Sequence, residues 1–259
     1  MTDDLKIFEE PLLEFRYHQN LENPHDGLAL FGSYDTDLPG SPKSISYGLL
    51  GTKEGVQAFK RWSKIMSKPI LLVKDVNGKE PNKNLWPPFP GFEATFNCVW
   101  PLEPAFSKEL NRDSLIKASK NNDPNQRSYY VVKEYLDSIE TVDRRQADIK
   151  VLICIVPDEV WKNCRPKSIP EDGWGYRPSK KQRLDRSKGQ MGLTENWDPA
   201  LYRLSADFRR QIKARVMKFK VPIQIVREST LEPYPDKKEF HRGLTLPQDR
   251  AWNLSTTLY

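Results

Sequence analysis

Apolar residues recur along the chain at different spacings, and each spacing predicts a different element. Ser44 to Leu50 is a short apolar run that predicts a strand, Thr52 is placed to cap a helix, and Val56, Phe59, Ile65 and Met66 then follow at helical intervals. A βαβ unit is expected to begin there. Pro69 to Val76 and Phe92 to Trp100 predict further strands, separated by the proline-rich Trp86-Pro-Pro-Phe-Pro-Gly91, and helices are expected around Ser107 to Ser119 and Arg127 to Ile139. The run Ile149-Lys-Val-Leu-Ile-Cys-Ile-Val156 is almost continuously apolar, which predicts a central parallel strand buried on both faces. Asp207 then caps a helix in which Phe208, Ile212, Val216 and Phe219 form one apolar stripe, followed by a strand over Val221 to Val226. Because strand side chains alternate, Gln224 faces away from Ile223 and Ile225.

These elements predict an α/β chain with a Rossmann-like open, mainly parallel sheet flanked by helices. Residues 1–43 are rich in turn signals, and Leu12 to Phe15 and Leu28 to Phe31 are read as strands that dock elsewhere. Residues 157–205 are expected to form a long polar connection, and Arg227 to His241 a charged linker. In an open α/β sheet the ligand crevice lies beyond the carboxyl ends of the strands, so the loop after Val156 and the helix from Asp207 are expected to share one pocket.

Composition narrows the class. The chain has 259 residues, enough for one large or two modest domains, and a net charge of +6, which agrees with a polyanionic partner. It contains no apolar run long enough for a membrane span, and Met1 to Lys6 lacks the regions of a secretion signal, so a cytoplasmic location is expected. Cys98, Cys154 and Cys164 are odd in number and lack metal-ligand spacing, which predicts buried thiols. His18, His25 and His241 are read as surface residues. Gly48-Leu-Leu-Gly-Thr-Lys-Glu-Gly55 lacks the spacing of a phosphate-binding loop, so its glycines are assigned to a tight turn. Glu134, Asp137, Glu140 and Asp143 are read as a solvated helix face.

The remaining chemistry is cationic. Arg209 and Lys213 lie one turn apart on the flank of the apolar stripe and, with Gln224, supply charge-assisted and neutral donors suited to a phosphate but no catalytic base. Between Arg177 and Gln190 six cations face the single acid Asp185, which predicts a solvated loop or an arm that follows a nucleic-acid backbone through Lys180, Lys181, Arg183 and Arg186, with Arg210 beside it. Trp161, Trp174, Tyr176 and Trp197 could stack on bases or anchor that segment.

Arg209, Lys213 and Gln224 resemble the guide 5′-phosphate motif in the MID domain of Argonaute proteins. Glu10-Pro-Leu-Leu-Glu-Phe15, Asp26-Gly-Leu-Ala-Leu-Phe-Gly32, Pro88-Phe-Pro-Gly-Phe92 and Ala251-Trp-Asn-Leu-Ser-Thr-Thr-Leu-Tyr259 resemble segments of short prokaryotic Argonautes in the same order. The resemblance implies an N-terminal segment over 1–43 that packs on PIWI, a MID domain over 44–235 and the start of PIWI over 236–259. Leu254 and Leu258 are then expected to lie on a face left uncovered, as in a piece of a longer MID-PIWI protein. It implies binding of a guide RNA or DNA for recognition of a complementary target strand in prokaryotic defence, with no nuclease activity in this chain. It further implies a partner with a PAZ-like domain fused to a TIR or sirtuin-type effector, and Mg²⁺ at the guide 5′ end. Many members carry Tyr where Arg209 stands, and a further phosphate-binding Lys would fall just beyond Tyr259, where Mg²⁺ would also find its ligand. Two other readings stay open: a doubly wound nucleotide-binding enzyme, and an interaction scaffold whose basic segment is incidental.

Overall fold

The computed structural model describes residues 10–71, 86–144, 149–190, 192, 198–231 and 247–259. They fall into two compact units, one formed by Met1–Ile45, Ser63–Leu102 and Pro233–Tyr259, the other by Ser46–Trp62 and Glu103–Glu232.

In the first unit, β1 (Leu13–Phe15) and β2 (Gln19–Leu21) form an antiparallel hairpin. The expected strand over Leu28 to Phe31 is instead the end of helix α1 (Pro24–Leu30). Asn23-Pro24 is a helix start here: the Asn23 side chain accepts from the backbone N–H of His25 at 2.9 Å, and Pro24 fills the first helical position, where no N–H is needed. The expected strand over Phe92 to Trp100 is likewise replaced by a short helix over Phe92–Phe96.

 Helix α2 spans Lys53–Met66, so this short helix is α3. Phe92, Phe96 and Trp100 are four apart, and the Phe92 ring centroid lies 4.9 Å from that of Phe96 and 5.2 Å from that of Trp100, a helical clustering that outweighs the strand-like composition. Of the expected strand over Pro69 to Val76, Ile70 makes an isolated bridge to Phe89, and residues 72–76 lie outside the described residues.

The last helix of this unit runs from Pro247 to Leu258. Trp252 is fully buried and donates its indole N–H to the Pro87 carbonyl at 2.9 Å. Tyr259 stacks on Phe96 at 4.5 Å, and its hydroxyl donates to Asp35 at 2.9 Å. Leu254 and Leu258 are 7% and 5% exposed, so the face expected to be open is covered. His25 packs against Trp86 and Trp252 at 4.7 and 5.3 Å instead of standing in solvent; His18 is the exposed one, beside Glu14, and His241 lies outside the described residues.

The second unit is a four-stranded parallel sheet flanked by helices, compatible with a Rossmann-like fold. Strand β3 (Tyr47–Gly51) lies between β4 (Phe106–Glu109) and β5 (Val151–Val156), and β6 (Ile223–Arg227) pairs with the other side of β5. All six residues of β5 are buried, as its apolar run predicts. Strand β4 occupies the start of a stretch expected to be helical; it is an edge strand with three polar, exposed residues, and α4 (Arg112–Ser119) begins only after Asn111, whose side chain accepts from the Ser114 N–H at 2.9 Å. On one sheet face Leu152, Cys154 and Val156 pack with Val131, Tyr135 and Ile139 of α5 (Pro124–Arg144). Burial pushes the Cys154 and Cys164 thiols up to about 12, so these cysteines are packing residues.

On the opposite face Thr52 caps α2, accepting from the Gly55 N–H at 3.1 Å. The glycines there serve close approach, not a turn: a Cβ on Gly55 would lie 2.8 Å from the Ile155 side chain, and one on Gly51 at the same distance from Ile155 Cβ. Residues 157–205, expected as a polar connection, contain three short helices: α6 (Asp158–Asn163), α7 (Lys180–Ser187) and α8 (Pro199–Arg203). Helix α9 (Phe208–Val216) precedes β6, and the Pro247–Leu258 helix is α10. Among the described residues no helix is long and apolar enough to cross a membrane.

Candidate anion-binding site

The carboxyl ends of β5 and β6 deliver two helix starts and a strand end to one place. Pro157 stops β5, and α6 begins at once, carrying Trp161. The N-terminus of α9 is tied beside it by the Phe208 N–H, which donates to the Cys164 carbonyl at 3.0 Å. Trp161 packs on the core with part of its ring uncovered, and the guanidinium carbons of Arg209, Arg165 and Arg227 lie 5.2, 5.6 and 5.7 Å from its ring centroid. Each is within the range in which the ring quadrupole attracts a cation.

Three guanidiniums around one indole repel one another, and two carboxylates offset part of that. Asp207 caps α9 by accepting from the N–H groups of Arg209 and Arg210 at 2.9 and 3.2 Å, and also receives the Arg209 guanidinium at 3.2 Å. Burial alone would raise its pKa, but the bonds from Arg209 and the Arg210 N–H outweigh burial and hold the carboxyl below its usual range. Asp158 receives Arg227 and the Ser229 hydroxyl; burial opposes its ionisation, and these bonds again win. Arg165 and Lys213 are exposed and have no carboxylate partner among the described residues. Arg209 is 45% exposed despite its bond to Asp207. The edge therefore presents cation to solvent, with Asp207 turned inward at 7% exposed while Asp158 keeps 37% of its side chain in water.

A depressed native pKa stabilises the fold above the unfolded value of about 4 and ceases to do so as pH falls through the native value. Asp207→Ala should cost about 1 kcal/mol in urea unfolding at neutral pH through loss of the cap, and the loss should shrink toward acid pH as the wild-type carboxylate protonates.

Gln224 does not join this cluster. Ile223 and Ile225 pack on the same core as Phe208, Ile212 and Val216 of α9, so the strand period puts Gln224 on the opposite face, where it pairs in register with Ile153 and donates to the Ile225 carbonyl at 3.3 Å. Of the three expected cradle residues Arg209 lies at Trp161, Lys213 is exposed on the same helix, and Arg165 and Arg227 are the cations that sequence spacing did not reveal.

The basic segment also differs from a solvated arm. Ser179 and Gln182 form a reciprocal capping box that starts α7. Lys180 and Lys181 are exposed, and Arg183 donates to the Pro178 carbonyl at 3.2 Å. Arg186 is 3% exposed, donates to the Tyr202 hydroxyl at 3.2 Å and faces Asp123 at 4.0 Å, so it cannot reach a nucleic-acid backbone. Arg210 is exposed on α9. Trp174 and Tyr176 are both bonded and partly exposed, while Trp197 lies outside the described residues.

The crevice where strand order reverses, between the ends of β3 and β5, is filled by the chain itself. The Thr52 hydroxyl donates to one Glu228 oxygen at 2.5 Å, and Arg112 donates to the other at 2.8 Å. A carboxylate thus sits beside the start of α2, where a nucleotide-binding enzyme of this class would hold a phosphate. Glu134 and Asp137 are exposed and Glu140 pairs with Lys218 at 2.9 Å, as a solvated face requires; the Asp143 side chain lies outside the described residues. Among the described residues no three His, Cys, Asp or Glu side chains gather to hold a metal. No protein-family model and no curated protein matches this chain.

Proposed function

We propose that the chain binds the phosphorylated end of a single-stranded nucleic acid as a guide-binding module, the role that the resemblance to short prokaryotic Argonautes implies. The observation that carries this reading is the convergence of Arg209, Arg165 and Arg227 on Trp161, with Lys213 exposed on the helix that carries Arg209. Guanidinium forks suit phosphate oxygens, the indole offers a surface for a terminal base, and the start of α9 adds backbone dipole. Glu228 in the usual crevice weighs against the nucleotide-binding enzyme, because a second anion there would meet a charge already in place. Capture of a guide for target recognition, with chemistry supplied by a PAZ-like partner bearing a TIR or sirtuin-type effector, completes the proposal.

The test is fluorescence anisotropy with matched 5′-phosphorylated and 5′-hydroxyl strands, RNA and DNA. The phosphorylated strand should bind more tightly, and Lys213→Ala or Arg209→Ala should weaken it about tenfold to a hundredfold with little change for the hydroxyl strand. Log affinity should fall with log salt by about 0.7 per phosphate neutralised. Equal affinity for the two strand ends would reject the reading. Gln224→Ala should leave the preference intact, in contrast to a Gln that shares the phosphate.

A further inference from the structure

A second feature of the sheet-bearing unit lies on the outer face of α5. Gln126, Tyr129, Tyr130 and Lys133 recur at helical spacing along one side of that helix and, with Trp174 and Asp198, line a cleft of about 610 Å³. The rings are fixed in place. Tyr129 and Tyr130 meet edge to face at 5.6 Å, and the Arg215 guanidinium carbon lies 4.9 Å from the Tyr129 ring centroid. The Trp174 N–H donates to the Lys120 carbonyl at 3.0 Å, its carbonyl accepts from Asn122 at 2.8 Å, and its indole N–H donates to the Lys117 carbonyl at 2.9 Å. That last bond uses the polar edge of the ring and leaves its surface 47% exposed, like the 43% of Tyr130.

The polar groups in the cleft are mostly committed to the fold. Gln126 accepts from Asn121 at 2.8 Å, and Asp198 caps α8 by accepting from the Ala200 N–H at 2.8 Å. Lys133 is exposed and has no ion pair among the described residues. What the cleft offers a ligand is therefore aromatic surface with the Lys133 cation and the helix-capping Asp198 carboxylate beside it, and few groups with which to read a base edge. That combination matches the sequence-tolerant stacking of single-stranded nucleic acid, in which every base has a π-face and the phosphates need cations. An enclosed site for one free nucleotide would need convergent donors and acceptors, and a proline-rich peptide would have no use for the unpaired cation.

We propose that this cleft is a stacking platform for bases of a bound single strand, with Tyr130 and Trp174 as the stacking surfaces and Lys133 on the backbone. Its strand ligand rests on the function proposed above, but its residues are separate from the Trp161 cluster. The experiment combines anisotropy of the full chain with labelled single strands and photo-cross-linking of strands that carry 5-iodouracil at successive positions, with the adducts located by mass spectrometry. Tyr130→Ala and Trp174→Ala should each weaken binding about fivefold to a hundredfold without changing the salt slope, and Lys133→Ala should lower the slope by about 0.7. Cross-links should fall on Tyr129, Tyr130 or Trp174. If Trp174→Ala loses its fold by circular dichroism, the exposed Tyr130→Ala carries the test.

Unchanged affinity in a folded Tyr130→Ala protein, together with cross-links only elsewhere, would overturn the platform. So would displacement of the strand by a proline-rich peptide, or a free nucleoside monophosphate binding as tightly as the strand. Loss of 5′-phosphate preference with the Tyr130 effect retained would sink the end-binding reading and leave the platform standing. The converse result separates the two in the other direction.

Discussion

Arg127→Ala should destabilise the protein by about 3–5 kcal/mol, a large share of the roughly 5–15 kcal/mol that holds a typical domain together. Arg127 is 1% exposed, and burial pulls its pKa down. Its Nε donates to the Asn163 carbonyl at 2.7 Å, Nη1 to the Asn121 carbonyl at 3.1 Å, and Nη2 to the Ser168 carbonyl at 2.6 Å and hydroxyl at 2.9 Å. The charge is thus solvated by backbone carbonyls drawn from both sides of the α5 start. Truncation would leave a cavity and several buried acceptors without donors, each worth about 1–3 kcal/mol before relaxation. Lysine should recover little, because one ammonium cannot span the fork. The segment that Arg127 anchors, 163–168, carries Arg165 and directly follows Trp161. Urea unfolding should therefore show a lower midpoint, and phosphorylated-strand binding should weaken as well, although Arg127 itself never meets solvent.

The second large effect is expected at Asp123. Its Oδ1 accepts from the Asn125 N–H at 3.0 Å at the start of α5, while Oδ2 accepts the Tyr202 hydroxyl at 2.7 Å and faces Arg186 at 4.0 Å. Asp123 is fully buried and Tyr202 is 6% exposed; burial, aided by the bond to Asp123, pushes the Tyr202 phenol well up from its usual range. Asp123→Ala removes a helix cap, the acceptor of the buried Tyr202 hydroxyl and the carboxylate facing Arg186, which should cost about 3–5 kcal/mol by chemical denaturation. Asp123→Asn keeps the cap acceptor, and combined with Arg186→Met it should recover most of the loss, since both members of the buried charge pair are then replaced together. If Asp123→Ala alone proves nearly neutral, the three residues are not the lock that fastens α7 and α8 to α5.

Much of the sheet was legible because its signals are local. The continuous apolar run of β5, the Thr52 cap and the apolar stripe of α9 each decide their own conformation within a few residues. Edge strand β4 was not legible, since Ser107, Lys108 and Glu109 carry no apolar alternation and are held only by pairing with β3. The face of Gln224 could be read from its neighbours, but the side of the sheet on which α9 packs could not, and that choice separates Gln224 from Lys213. Arg186 looked like any other cation in a basic run; what sets it apart is a carboxylate and a phenol that only the fold brings near. The aromatic pair on α5 was hidden by the stronger core signal of Val131, Val132 and Tyr135 on the same helix. Within the candidate site, sequence named Arg209, Lys213 and Trp161 separately, whereas the meeting of Arg165, Arg209 and Arg227 at Trp161 needed the geometry of a segment that sequence had left as a polar connection.

Glu228 gives the sheet an internal counter-ion. With Thr52 and Arg112 satisfied from within, the strand ends beneath the site do not depend on an arriving ligand to neutralise them. Arg209 and Lys213, by contrast, face water and share their field with dissolved ions. Ionic strength is thereby a handle on the outer layer alone: raising it should loosen whatever the rim holds while the scaffold below keeps its shape.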